Sequence, residues 1–164
     1  LIAKGHRRIA YLGRDPSLIT EADRRDGHRR ALTEHGIAYD PDLVIELITD
    51  RHAAALAVAK LSALADPPTA IFSSNARTSM PLTAALRGSH LAVIGFGDFP
   101  MADLLTPSLT IMDQNPARMG ALAAQRVYDR IANPDGDFLR GTVLDLTLVE
   151  RESAWAPRTP VPAG

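Results

Sequence analysis

Cysteine is absent from the 164-residue chain. That removes disulfides, thiolate zinc sites and thiol nucleophiles together, and it suits a reducing cytoplasm. Aromatic residues make up only 5% of the chain, so a ring platform for stacking on a sugar is scarce. Neither sign of charge dominates: 18 Lys+Arg stand against 19 Asp+Glu, for a net charge of −1. The chain as a whole therefore offers no electrostatic footprint for nucleic acid. It also lacks the basic clusters of a membrane-surface binder. No uncharged apolar run approaches the roughly 18 residues that span a bilayer, and no signal peptide is visible. The common chemical signatures are missing too. No Gly-x-Ser-x-Gly elbow frames Ser73 or Ser74. Gly95-Phe96-Gly97 lacks the third glycine of a dinucleotide fingerprint and follows the wrong strand. No phosphate-cradling P-loop occurs. His6, His28, His35, His52 and His90 have no metal-ligand spacing and read as surface or loop residues. Catalytic residues, metals and cofactors are thus expected to be none.

What is present is a globular composition, 46% hydrophobic and 23% charged. Its length implies one domain that buries roughly 70% of its unfolded surface. The opening Leu1-Ile2-Ala3-Lys4-Gly5 reads as the end of a helix with a glycine stop, which points to the C-terminal part of something longer. Short Val/Ile/Leu-rich runs then alternate with helical stretches. Strands are predicted at 9–13, 43–48, 69–73, 91–95 and 109–113, and helices at 20–35, 51–64, 78–86 and 116–131. The first helix should be capped by Thr20 and pack through Ala22, Ala31 and Leu32, with Gly27 admitting a close neighbour. The second, capped by Asp50, should bury Ala54, Leu56, Val58 and Leu61. Asn115 or Gln114 can cap the last helix, with Pro116 in its first turn and Met119, Leu122, Ala123, Val127 and Ile131 on one face. Connections too long for hairpins imply an α/β fold, an open parallel sheet with helices on both faces. Residues 143–149 alternate with period two, as a C-terminal edge strand does. The Pro/Ala-rich stretch 156–164 reads as loose. Polar residues and glycines cluster where strands end, at Ser74-Asn75 and Gly95-Phe96-Gly97-Asp98, the side on which such sheets bind small molecules.

The ordered motifs resemble the effector domain of lactose-repressor-type transcription regulators. They are Gly5-His6-Arg7-Arg8-Ile9-Ala10-Tyr11-Leu12-Gly13, Arg24 to Leu32 with its Arg-x-x-Gly, Pro68 to Asn75, and Val93 to Asp98. Leu105-Thr106-Pro107, Leu109-Thr110, Gln114, Gly120 and Leu148 to Ser153 follow in the same order. The likeness covers nearly all of positions 1 to 155. It implies a periplasmic-binding-protein-like lobe. Residues 1–113 and 143–156 would form the C-terminal lobe, 114–142 would belong to an N-terminal lobe otherwise absent from the sequence, and 157–164 would be tail. By the same likeness the apolar face of the 116–131 helix would pack on the other lobe, and without it should dock elsewhere.

The resemblance also proposes site residues. Arg24 would grip hydroxyls or a carboxylate through its fork of donors. Asn75 offers both donor and acceptor, or serves as a helix cap, and the two roles can coexist. Gln114 touches ligand or holds the hinge between lobes. Thr20 adds a hydroxyl contact or is only a cap. Three departures stand out. Ala76 and Gly97 occupy positions where the family carries Asp, with the acid displaced by one residue to Asp98, and Thr49 falls where a stacking aromatic is common. The function implied is effector sensing and dimerisation in a bacterial transcription regulator. A small polar metabolite would bind in an interlobe cleft, operator DNA would be reached only through an N-terminal head, and the partner would be a second copy in a homodimer. No membrane partner is expected. A solute-binding protein of a transport system is the alternative, and a small α/β enzyme the third reading.

Overall fold

Six short strands make one sheet: β1 (Ile9–Leu12), β2 (Val44–Ile45), β3 (Ala70–Ser73), β4 (Ala92–Phe96), β5 (Thr110–Asp113) and β6 (Thr147–Val149). The computed structural model describes residues 1–155, so the stretch predicted to be loose, 156–164, lies outside the described residues. The spatial order is β2-β1-β3-β4-β5-β6. The first five strands are parallel, and β6 returns antiparallel to β5. Helices α1 (Ile19–Glu34), α2 (Arg51–Ser62) and α3 (Ala76–Ala85) make the crossovers, and α4 (Pro116–Ala132) follows β5. The order reverses at β1: α1 leads to β2 on one side, while α2 carries the chain to β3 on the other. The carboxyl tips of β1 and β3 are therefore a topological switch point, where open α/β sheets bind ligands.

Alternation along each strand sends successive residues to opposite faces. Ala10, Leu12, Ile71, Val93 and Ile111 pack with Ala54, Ala57 and Leu61 of α2 and Leu82 of α3. Ile9, Ala70 and Ala92 face the other way and pack with Leu32 of α1. All four β1 residues are buried, as a strand covered on both faces must be. Each buried Leu or Ile stabilises by about 1.5–3 kcal/mol. The predicted caps at Asp50 and Asn115 form, accepting from the backbone N–H of Ala53 at 2.9 Å and of Arg118 at 3.0 Å.

Packing overrides several sequence expectations. The 43–48 run is not one strand. Leu43 ends a 3-10 turn (Pro41–Leu43), only Val44–Ile45 pair with β1, and Leu47, at φ 63°, turns the chain away. Helix α1 starts earlier than predicted. Leu18 is its N-cap and uses no side chain, so Thr20 already lies inside the helix and does not cap it. That helix buries Glu21 and Leu32, while Ala22 and Ala31 stay half-buried. Gly27 has no close neighbour, since a Cβ there would meet nothing within 4 Å. In α2 the buried stripe is narrower than expected, Ala54, Ala57 and Leu61, and Leu56 is exposed. The edge strand is only Thr147–Val149, because β5 ends at Asp113, whose register partner is Thr147. Two histidines are not surface residues. His6 is fully buried, bridging the Thr69 hydroxyl (2.8 Å) and the Trp155 carbonyl (3.0 Å). His28 sits between Tyr11 and Phe72, its Nε2–H donating to the Ile9 carbonyl at 3.1 Å.

Helix α4 does not fold back onto the sheet. None of its residues is buried, and Met119, Leu122, Val127 and Ile131 are all exposed. Arg126 ties it to the returning chain through the Leu139 carbonyl. The apolar face thus stays uncovered within this chain.

Candidate binding site at the strand tips

Glu21, in the first turn of α1 and only 3% exposed, gathers the polar groups at the tips of β1 and β3. Its Oε2 accepts from the Ser74 hydroxyl at 2.6 Å and the Arg14 backbone N–H at 3.0 Å. Its Oε1 accepts from Asn75 Nδ2 at 2.5 Å and Arg24 Nη1 at 3.4 Å. The Tyr11 hydroxyl donates to the Glu21 backbone carbonyl at 3.1 Å and lies 3.5 Å from Oε2. A carboxylate has about four lone-pair sites, and here they are filled. Burial pushes the Glu21 carboxyl up. The hydrogen bonds from Ser74, Arg14 N–H and Asn75, with the Arg24 charge, outweigh burial and hold it below its usual value. The Tyr11 phenol moves the other way, pushed up by burial and by the Glu21 charge, so it stays a neutral donor.

Arg24 stands one turn after Glu21, on the same helix face. Its guanidinium carbon lies 4.1 Å from the centre of the Phe96 ring at the end of β4, a cation–π contact that fixes the side chain across the β3 tip. Asn75 caps α3 by accepting from the Thr78 N–H at 3.0 Å, while its Nδ2 also lies 3.3 Å from the Ser74 hydroxyl. Beside Phe96, Gly97 adopts φ 80°, and a Cβ there would stand 3.8 Å from Gln114 Nε2. Arg24, Asn75 and Gln114 therefore lie along one edge of the sheet.

Three predicted residues stand apart from this line. Thr20 is exposed on α1, and Thr49 is exposed in the loop before α2, next to the cap Asp50. Asp98 is taken by Arg151, which follows β6, with Oδ2 to Nη2 at 2.8 Å, and it accepts from the Phe99 N–H at 2.9 Å. The Arg151 guanidinium holds its carboxyl below the usual range. Sequence reading missed Glu21 and Tyr11, and it placed Ser74 and Phe96 at strand ends without giving either a role. The signal was present: Glu21, Arg24 and His28 recur at i, i+3 and i+7, a polar stripe on a helix that covers a sheet.

The chain matches the periplasmic binding protein-like domain over residues 1–154. The ribose operon repressor of Haemophilus influenzae is 29% identical over 162 residues, covering 95% of this chain and 48% of the repressor. The Escherichia coli transcriptional repressor ascG matches with a TM-score of 0.82 at 25% identity, over 94% of this chain and 58% of that one. The transcriptional regulator CelR, solved in complex with cellobiose, matches at 0.80 and 29%, over 93% of this chain and 48% of CelR. The chain spans about half the length of the curated relatives it matches. With its α/β sheet and its residues 1–154 matched, the chain belongs to the periplasmic-binding-protein-like domain family, in the form carried by lactose-repressor-type transcription regulators.

Proposed function

We propose that the chain is the effector-sensing and dimerisation part of a bacterial DNA-binding transcription regulator. The observation that carries this reading is the Glu21–Arg24–Asn75 cluster at the β1/β3 switch point, with Gln114 on the same edge. A small polar metabolite, sugar-like or nucleoside-like, binds there, between this lobe and a second one. Residues 1–113 with the returning strand form the C-terminal lobe, and 114–142 complete the N-terminal lobe. The unburied apolar face of α4 supports that division, because such a stripe needs a covering surface. Ligand then drives lobe closure, which works as a switch only if one lobe arrangement binds the effector better than the other. Operator DNA is contacted by a head domain outside this chain, a role that the net charge of −1 here leaves free. Such a protein works in the cytoplasm, and no helix among the described residues is long and apolar enough to cross a membrane.

A second copy pairs with this lobe across an apolar patch. A cleft of about 460 Å³ opens between α3 and the loop before β5, lined by Leu82, Leu86, Leu91 and Leu104. Leu104, in its lining, is exposed, as are Met80 on α3 and Met101 in the loop before β5. Contiguous apolar surface of this kind marks association, and a self-complementary patch gives a twofold dimer. The test is a thermal-shift screen of the intact protein with sugars and nucleosides, run beside operator binding. One compound should raise the melting temperature and change operator affinity together. A ligand at 100 times its Kd stabilises by about 2.7 kcal/mol, well within detection. If no compound alters either quantity, the sensing role fails.

A further inference from the structure

The strand-tip site is rich in donors and poor in free acceptors, and this sets the chemistry of what it holds. Six carboxylates at this end of the sheet already accept a hydrogen bond from the protein, while Asp23 on α1 and Asp103 after β4, both exposed, accept none among the described residues. Glu21 is filled by Ser74, Asn75, Arg14 and Arg24. Asp15 accepts from Ser17 N–H (3.0 Å), Glu46 from Arg25 (2.9 Å) and Asp50 from Ala53 N–H (2.9 Å). Asp98 is forked onto Arg151, and Asp113 accepts from Asn115 N–H (2.9 Å). The amide oxygen of Asn75 caps α3. Position 97, beside Gln114, has no side chain at all.

The donors are the opposite case. Arg24 uses one nitrogen on Glu21, at a long 3.4 Å, and has no other hydrogen-bond partner among the described residues. Its plane is fixed on Phe96, and its side chain is 20% exposed. Arg14, two residues after β1, has no ion-pair partner among the described residues, and the Gln114 amide makes no hydrogen bond within them, leaving its two donors and its one acceptor open. A sugar hydroxyl brings a donor as well as an acceptor. A neutral polyol buried here would leave O–H groups unpaired, which is costly. An anionic oxygen group brings acceptors only, and a planar guanidinium takes it in a charge-assisted fork.

We infer, on the reading proposed above, that the effector carries an anionic oxygen group, a carboxylate or a phosphate, held by Arg24 above a floor in which Glu21 is a positioning residue. The Glu21 charge does not reject this group. Its oxygens are taken by Ser74, Asn75 and the Arg14 N–H, and its side chain is only 3% exposed against 20% for Arg24.

The experiment is titration calorimetry on the intact protein with four probes: glucose, glucuronate, glucose 6-phosphate and inorganic phosphate. Operator binding is read in parallel. At least one anionic sugar should bind ten-fold or more tightly than glucose, weaken as salt rises, and change operator affinity. Glucuronate alone assigns a carboxylate and glucose 6-phosphate alone a phosphate, and either supports the inference. In Arg24→Gln the preference should vanish, and in Arg24→Lys, which keeps the charge but loses the fork, it should persist in part. Glucose binding as tightly as the acids overturns the anionic class and leaves sensing intact. Inorganic phosphate binding alone, without effect on operator affinity, also overturns it. Silence from all four probes, while a different neutral sugar or nucleoside regulates, overturns this inference alone. Silence from every compound overturns both readings.

Discussion

Helices α1 and α4 are of similar length, Ile19–Glu34 and Pro116–Ala132, and they invert the usual link between pattern and burial. Helix α4 carries the cleaner apolar stripe, yet none of its residues is buried. Helix α1 is dominated by Arg, Asp and Glu, yet it packs on the sheet and buries Glu21 and Leu32. A stripe of Met119, Leu122, Val127 and Ile131 reports that a partner is required, not that one is present in the same chain. A stripe of Glu21, Arg24 and His28 reports the opposite, a polar surface that packs on the sheet because Glu21 is filled and His28 Nε2 reaches the Ile9 carbonyl, with only His28 Nδ1 left unpartnered. The first helix packs a polar cluster against the sheet, and the last one leaves its apolar face uncovered in this chain.

The contrast breaks first at Glu21. In Glu21→Leu the Ser74 hydroxyl, the Asn75 amide and the Arg14 N–H lose their acceptor and Arg24 loses its counter-charge. Removing one partner of such a buried arrangement costs about 3–5 kcal/mol, read by urea unfolding. A loss under about 1 kcal/mol would mean that the cluster is ornamental. Next come the two apolar faces. Leu61→Ala, in the core, should cost about 2–5 kcal/mol. Leu122→Ala, on α4, should change the stability of this 164-residue chain by less than about 0.5 kcal/mol. In the intact protein the same change should cost as much as a core truncation, if the other lobe covers that face. Equal, small effects in both contexts would remove the argument for a missing partner.

Asn75→Ala should cost about 1 kcal/mol for the lost cap, and more for the donor withdrawn from Glu21. Stability should also fall in two stages on acidification. Burial lowers the His6 and His28 values from the usual 6.5. As pH drops below that point, the unfolded chain takes up protons that the folded chain refuses, so the melting temperature falls. The Glu21 and Asp98 carboxyls are held below their usual range. Their contribution is intact above the unfolded carboxylate values, about 4, and is lost as pH falls below them. The smallest effect is His28→Phe. The change removes both the buried, unpartnered Nδ1 and the Nε2 bond to the Ile9 carbonyl, opposing contributions that should leave stability at pH 7 within about 1 kcal/mol of wild type, and it should blunt the first acid stage.

Much of the fold was legible because strands and helices alternate and each strand is a short apolar run. The positions of β1, β3, β4 and β5 and the caps Asp50 and Asn115 follow from residue type alone. What was not legible depends on neighbours distant in sequence. The second strand shrinks because Leu47 turns left-handed, and β6 is short because β5 supplies only three partners, Ile111 to Asp113. Thr20 looked like a cap because hydroxyls suit that role, but the chain enters the helix two residues earlier. Arg24 and Asn75 stand out in the sequence by residue type and place, while Glu21, which accepts from both, was passed over. Its role depends on Ser74, 53 positions away, and no local pattern encodes that meeting. Asp98 was read as a ligand group, and only the fold brings Arg151 beside it.

The central claim is that the strand-tip cluster is where the effector is sensed, and Arg24→Gln in the intact protein tests it most directly. Operator binding is titrated with the regulating compound, wild type against variant. The account predicts unchanged operator affinity without the compound and at least a ten-fold loss of response to it. A variant that folds, binds operator and responds as wild type does would contradict it.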